Sequence, residues 1–261
     1  FVAFSCYTWN LEYNKALARE LKKLYPNVKI IFGGHSVPSD ASFLDEFDFI
    51  DYLMHNEGEE TFASLLLALK NGESLDNVAN IAYRKNGVPV YTFHKKTEGI
   101  DYPSPYLNGL FESIFEENPD MQLDAILETS RGCPRSCAYC DWGSLHCGVR
   151  FFPEEKIMKE LQWLSDHKIS GFGGADANFG MFERDTEIAE YIVELNTKTG
   201  FPKVFRPCYA KDSDKRVFAI SQKLNKYGMD KGATMAYQTL SEDALINIHR
   251  KNLTLEHFSD L

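Results

Sequence analysis

Apolar and polar residues alternate along this chain with two different periods, and the changes of period mark its elements. A short apolar run over Phe1–Ser5 predicts a strand. Tyr13, Leu17, Leu21 and Leu24 then recur at helical spacing until Pro26 stops the helix. Val28–Phe32 predicts a second strand, closed by Gly33-Gly34, and Phe49–Met54 a third after a short helix. Glu57–Lys70 predicts a helix with Phe62, Leu65, Leu66 and Leu69 inward, ended by Asn71-Gly72. Ile81–Thr92 reads as a hairpin turning at Asn86-Gly87.

The period is lost from His94 to Gln122, where Pro103 and Pro105 predict an extended connection. A second alternation follows. Ala125–Thr129 is a strand leading into a cysteine-rich loop, and Pro153 suits the first turn of a helix carrying Ile157, Leu161 and Leu164. Ile169–Ala175 is a glycine-rich strand end, followed by a helix with Ile188, Ile192 and Leu195. Val204–Tyr209 and Ala233–Tyr237 predict strands, the helix between them carries Val217, Ile220 and Leu224, and Ser241 caps a last helix with Leu245 and Ile248. The class is α/β, with an N-terminal α/β domain over residues 1–75, a hairpin and linker over 76–122, and a second α/β domain over 123–261. Its repeated strand–helix units suit a barrel or an open doubly wound sheet.

The length of 261 residues allows one large or two modest domains. The formal net charge of −10 and the lack of a Lys/Arg run interleaved with aromatics argue against nucleic acid as substrate. No apolar stretch is long enough to cross a membrane, and no signal peptide is visible, which points to the cytoplasm. Phe1 opens inside a strand with no initiator Met, so the chain is expected to be a piece of a longer protein.

The cysteines are Cys6, Cys133, Cys137, Cys140, Cys147 and Cys208. A disulfide framework belongs to small secreted scaffolds, which this chain is not. Three cysteines are bunched as C-x3-C-x2-C in Arg131-Gly132-Cys133-Pro134-Arg135-Ser136-Cys137-Ala138-Tyr139-Cys140. Thiolates hold iron–sulfur clusters, and a cube held by three of them keeps one iron open to a ligand. With Cys147 as a fourth ligand, the loop could instead close around zinc or an electron-transfer cluster.

The segment Glu128–Trp142 resembles the signature loop of the radical S-adenosylmethionine superfamily, in which an aromatic precedes the third cysteine as Tyr139 does here. The resemblance implies that Cys133, Cys137 and Cys140 hold a [4Fe-4S] cluster whose open iron chelates S-adenosylmethionine. It implies that Tyr139 lies against the adenine. The family often has Gly-Gly-Glu at the second strand end of a TIM-like partial barrel. Here Gly173-Gly174-Ala175-Asp176 stands there, with the acid one place late. Asp176-Ala177-Asn178-Phe179 resembles the variant of cobalamin-dependent members, so Gly173, Gly174, Asp176 and Asn178 become candidate cofactor residues. Gln238-Thr239 with Arg250 and Asn252 resembles the fifth strand and helix of that group. The barrel's C-terminal part is expected beyond Leu261.

The N-terminal segments Phe4-Ser5-Cys6-Tyr7, Phe32-Gly33-Gly34-His35 and Asn56-Glu57-Gly58-Glu59-Glu60 resemble the Rossmann-like cobalamin-binding domain that precedes many such cores. Small residues at strand C-termini let a large ligand approach the backbone. By resemblance, Ser5, Gly33 and Gly34 contact the nucleotide tail of cobalamin. The domain's first strands, and any Asp-x-His-x-x-Gly loop, are expected before Phe1. His35 and Cys6 have ordinary readings as a loop residue and a packed side chain.

The family's cycle begins with an electron from a flavodoxin- or ferredoxin-type donor. Reductive cleavage of S-adenosylmethionine gives a 5′-deoxyadenosyl radical that abstracts hydrogen from an unactivated carbon. Methylcobalamin then supplies a methyl group. The substrate is expected to be a small molecule or peptide. A radical rearrangement or cyclisation without methyl transfer is the alternative, as is a non-catalytic iron–sulfur or zinc protein.

Overall fold

The computed structural model describes residues 1–140, 142, 148–211, 215–233 and 238–250. Cys147 and Asn252, and the strand expected over 233–237 apart from Ala233, lie outside the described residues. Two compact units divide at Thr97 and Glu98.

In the first unit, β1 (Val2–Ser5), β2 (Ile30–Gly33) and β3 (Tyr52–Met54) run parallel and in sequence order. The connections carry α1 (Leu11–Leu24) and α2 (Ser42–Glu46), and α3 (Gly58–Asn71) follows β3. Alternation along β2 explains the two layers. Ile30 and Phe32 pack with Ala18 and Leu44, whereas Ile31 packs on the opposite face with Leu65 and Ala68. A sheet buried on both faces under helices is the Rossmann-like arrangement expected.

The hairpin is present as β4 (Ile81–Lys85) and β5 (Val88–Tyr91), with Asn86-Gly87 at its turn. It was expected in a connecting segment, yet β4 pairs antiparallel with β3 and extends the N-terminal sheet to five strands. Ile81, Ala82 and Tyr83 are all buried there, which gives the hairpin a core to join.

In the second unit a short helix, α4 (Glu112–Glu117), lies in the segment expected to be a linker. The parallel strands are β6 (Asp124–Leu127), β9 (Gly171–Gly174) and β10 (Val204–Arg206), in the order β6-β9-β10. They alternate with α5 (Glu154–Asp166) and α6 (Arg184–Thr199), and α7 (Lys215–Lys226) follows β10. Each new strand adds on the same side of the last, the progression of a (β/α) barrel. Leu127, Phe172 and Phe205 face a helix layer formed by Ile157, Leu161, Ile188, Ile192 and Leu224. The Phe172 and Phe205 rings stack at 4.4 Å. The other strand face carries Ile126, Gly173 and Arg206, and Ile126 is 69% exposed on it. A barrel turns that face inward.

Strand β6 was expected to reach Thr129 but ends at Leu127. After it come β7 (Ser130–Arg131) and β8 (Arg150–Phe151), a two-residue antiparallel pair. A final short helix, α8 (Glu242–Asn247), is capped as expected by Ser241, whose hydroxyl accepts the Ala244 N–H. No helix among the described residues is long and apolar enough to cross a membrane.

Candidate functional site: a cysteine loop at the strand ends of a partial barrel

The loop between β7 and β8 holds the three bunched cysteines. Ser130 pairs with Phe151 and Arg131 with Arg150, so the loop leaves and returns through one narrow neck. Gly132 has φ +100°, and a Cβ there would lie 2.1 Å from the Gly148 carbonyl oxygen. The two arms of the neck are therefore in backbone contact, which only glycine permits. Arg131 grips Glu128 from Nη2 at 2.7 Å and from Nε at 3.0 Å, and its guanidinium lies over the Tyr102 and Phe152 rings.

Cys133, Cys137 and Cys140 are free thiols of intermediate exposure. The Cys140 N–H donates to the Cys137 carbonyl at 3.0 Å, which folds the last two cysteines into one turn. Among the described residues, no three His, Cys, Asp or Glu side chains gather as a single metal ion requires. A four-iron cube spreads its thiolates over separate corners, wider than one ion does. Three unpaired thiols on one loop are the donor chemistry such a cube takes, and they fit it. Cys6 differs: it is fully buried, and burial pushes its thiol pKa up. Cys208 is exposed, just beyond β10.

Tyr139 is half-exposed, and its hydroxyl accepts from Arg250 Nη1 at 3.0 Å. The Ala138 N–H donates to the Ile248 carbonyl at 3.0 Å. The residues after α8 thus contact the cysteine loop, and Arg250 is engaged with the loop's aromatic.

Leu127 pairs with Gly174 in the ladder, so the β9 strand end and the segment after it share an edge with the cysteine loop. The four residues expected to hold cofactor separate here. Gly173 has open space where a Cβ would stand. Gly174 points the other way, and a Cβ would meet Phe205 Cε2 at 3.3 Å and Pro207 Cα at 3.4 Å. That glycine serves packing of the strand end.

Asp176 is 1% exposed and turned into the protein. Its Oδ1 accepts the Thr129 N–H at 3.1 Å, the Thr129 hydroxyl at 2.9 Å, the Ser130 hydroxyl at 2.7 Å and the Ser130 N–H. Thr129 and Ser130 are buried beyond the end of β6, and the carboxylate satisfies their N–H groups. Asp176 was expected to face the cofactor cavity. It holds instead the strand end from which the cysteine loop departs. Asn178 does face the loop, with Nδ2 3.1 Å from Cys133 Sγ.

Asp185, at the start of α6, escaped sequence reading. It is buried, and its Oδ2 accepts the Gly180 N–H at 2.8 Å and the Phe182 N–H at 3.0 Å. Burial pushes its pKa up, and the Asp176 charge adds to this, against those two N–H groups and Arg184.

In the first unit, the register places Ser5 beside Gly33 at the C-terminal ends of β1 and β2. Ser5 and Gly34 are exposed and Gly33 half-buried. The Cys6 N–H donates to the Gly33 carbonyl, and the Ser36 N–H to the Cys6 carbonyl at 3.0 Å. Gly34 has φ +103°, and a Cβ would lie 2.7 Å from the Cys6 oxygen. The strand ends form a small, open edge that suits a bulky ligand approaching the backbone, so the residues fit cobalamin. Asn10 and Asn14 donate to the Ser5 carbonyl at 3.0 and 3.2 Å. Tyr7, stacked on Trp9 at 4.6 Å and beside His35 at 5.6 Å, makes an aromatic ledge there. His55, after β3, is buried with Nε2 unpartnered, and burial pushes its pKa down.

Comparison with known proteins agrees with both halves. The B12 binding domain family matches residues 1–66. Over its whole length the chain is 35% identical to the 2-(S-pantetheinyl)-carbapenam-3-carboxylate methyltransferase of Streptantibioticus cattleyicolor, of which it covers 39%. It is 34% identical, again over 100% of the chain and 39% of the relative, to the cobalamin-dependent radical SAM methyltransferase TokK of Streptomyces tokunonensis. The fold is shared with OxsB, a cobalamin-dependent S-adenosylmethionine radical enzyme solved with aqua-cobalamin and S-adenosylmethionine bound. The TM-score is 0.68 over 97% of this chain and 37% of that one, at 20% identity.

A cysteine loop on β/α strand ends, following a B12-binding domain, defines a radical S-adenosylmethionine core of the cobalamin-binding kind. Residues 1–66 match the B12 binding domain family, and over its whole length the chain is similar to cobalamin-dependent radical S-adenosylmethionine methyltransferases. It spans 39% of the length of the two methyltransferases it matches.

Proposed function

We propose that this chain is the cofactor-binding part of a cobalamin-dependent radical S-adenosylmethionine methyltransferase that methylates an unactivated carbon of a small molecule or peptide in the cytoplasm. The observation that carries the reading is the whole-length identity of 35% and 34% to two methyltransferases, across both the B12-matching segment and the cysteine loop.

When bound, the cluster and cobalamin supply the electron-transfer, radical and methyl-carrying chemistry. The chain's own residues would place those groups. Cys133, Cys137 and Cys140 hold the cluster, and the Gly132 neck and Asp176 fix the loop that bears them. Tyr139, oriented by Arg250, offers its ring to the adenine. Gly173 leaves backbone room at the open strand face, and Ser5, Gly33 and Gly34 do the same for the cobalamin tail. The electron is expected from a flavodoxin- or ferredoxin-type protein.

The test belongs on the full-length enzyme. It is purified anaerobically with hydroxocobalamin, reconstituted with iron and sulfide, and given S-adenosylmethionine and reductant. The expected result is retained corrin absorbance, an iron–sulfur charge-transfer band and release of 5′-deoxyadenosine. An active cluster without retained corrin, and without a response to added cobalamin, would leave a radical enzyme that does not transfer methyl groups.

A further inference from the structure

Asn178 stands out because it is the candidate cofactor residue whose polar atom meets a cysteine ligand directly. Its Nδ2 lies 3.1 Å from Cys133 Sγ. We infer that Asn178 raises the reduction potential of the cluster by donating an amide N–H to the Cys133 thiolate, and that it acts through this ligand even with no S-adenosylmethionine bound.

The inference rests on the proposed cluster, and the chemistry of the pair supports it. A ligating cysteine is a thiolate, which has no proton to give. Facing it, the amide must present its NH2 group, because its oxygen would meet a second acceptor. A donor pointed at a cluster sulfur stabilises the more negative reduced state, and hydrogen bonds to sulfur are among the factors that set cluster potentials. The donor is also fixed in place. The neighbouring Phe179 N–H donates to the Cys208 carbonyl at 2.9 Å, and the Ala210 N–H to the Phe179 carbonyl at 3.0 Å. The Met181 N–H closes a turn on the Asn178 carbonyl at 3.2 Å. Two residues upstream, Asp176 ties the same segment to Thr129 and Ser130 at the base of the loop. The segment after β9 therefore holds the loop at its root and touches its first ligand.

The test uses the full-length enzyme, reconstituted anaerobically and titrated without S-adenosylmethionine. Asn178→Leu keeps the side chain's approximate shape and removes the donor. At a fixed ambient potential near the wild-type midpoint, its ratio of reduced to oxidised cluster is expected to fall by about tenfold, equivalent to about 59 mV for a one-electron couple. Electron paramagnetic resonance of the reduced cluster reads the ratio. A variant that holds its full iron at an unchanged midpoint overturns the inference and leaves Asn178 to contacts with S-adenosylmethionine alone. If Asn178→Leu loses its iron, Asn178→Gln decides. Full iron and a wild-type midpoint in that variant support the amide donor, and loss in both shows that the position is needed for its shape. A wild-type enzyme that takes up no iron defeats the underlying reading, and the inference with it.

Discussion

Asp176 and Thr129 meet across the ends of neighbouring strands, with Oδ1 taking the Thr129 N–H at 3.1 Å and the Thr129 hydroxyl at 2.9 Å. Asp176→Ala would leave these donors and those of Ser130 buried and unsatisfied. Each such group costs about 1–3 kcal/mol. Asp176→Ala is expected to lower the melting temperature and the iron content together. Asp176→Asn, which keeps one acceptor oxygen, should fall between it and the wild type. Iron analysis and thermal unfolding check this, and full iron in Asp176→Ala would contradict a positioning role.

The neck of the loop gives a sharper expectation. Gly132→Ala would put a Cβ 2.1 Å from the Gly148 oxygen at φ +100°. The strain is on the order of 1–3 kcal/mol, and the neck must open to relieve it. The variant is expected to fold but to take up much less iron on reconstitution. Wild-type iron content in Gly132→Ala would show that the neck does not control the loop.

The cysteines should divide by function. Alanine at Cys133, Cys137 or Cys140 should abolish assembly of a cluster holding about four irons, because three thiolates leave none to spare. Cys208→Ala should keep the iron. Cys6→Ala should keep it too and lose stability only modestly, since Cys6 is a small packed side chain. Iron and acid-labile sulfide per chain measure the division. A Cys140→Ala protein with full iron would overturn the ligand assignment.

Much of this was legible in the sequence because periodic burial writes itself into spacing. The helices over Leu11–Leu24, Gly58–Asn71 and Arg184–Thr199 and the hairpin at Asn86-Gly87 all follow from apolar rhythm and turn chemistry. The cysteine spacing named the candidate ligands. The neck did not show, because a two-residue ladder has no period and the contact of Gly132 with Gly148 depends on where the chain returns. Asp176 read as a cofactor residue because its partners are N–H groups beyond the end of β6, and sequence does not say where a ladder stops. Gly173 and Gly174 look alike in sequence, and strand alternation sends them to opposite faces. The hold of Arg250 on Tyr139 joins residues too far apart for spacing to reveal.

Asp185 predicts a pH effect. Burial raises its pKa, Asp176 pushes the same way, and the N–H groups of Phe182 and Gly180 with Arg184 only partly offset them. The folded chain thus binds this proton more tightly than the unfolded chain does. The stabilising contribution is fully present below the unfolded pKa of about 3.9 and is lost as pH rises through the raised folded value. Asp185→Asn keeps an oxygen for both N–H groups and removes the charge. Relative to wild type, it should gain stability as pH rises from about 4 toward neutrality. Urea midpoints at several pH values test this, and parallel profiles for the two proteins would refute it.

The cobalamin edge can be tested at Gly34. A Cβ there would lie 2.7 Å from the Cys6 oxygen, where the Cys6 carbonyl also accepts the Ser36 N–H. Gly34→Ala must therefore push apart the ends of β1 and β2 at the positions of Ser5 and Gly33. Gly87, in the hairpin turn, also has a positive φ but has nothing within 4 Å of a Cβ. Gly87→Ala should then cost only the backbone strain of about 1–2 kcal/mol. Gly34→Ala should carry a comparable strain and also lose the edge geometry on which a corrin tail would rest. In the full-length enzyme, hydroxocobalamin retained after gel filtration is expected to fall sharply for Gly34→Ala and to stay at the wild-type level for Gly87→Ala. Comparing the two separates damage to the ligand edge from general loss of stability. If Gly34→Ala retained corrin as well as Gly87→Ala does, cobalamin would not depend on this strand-end contact.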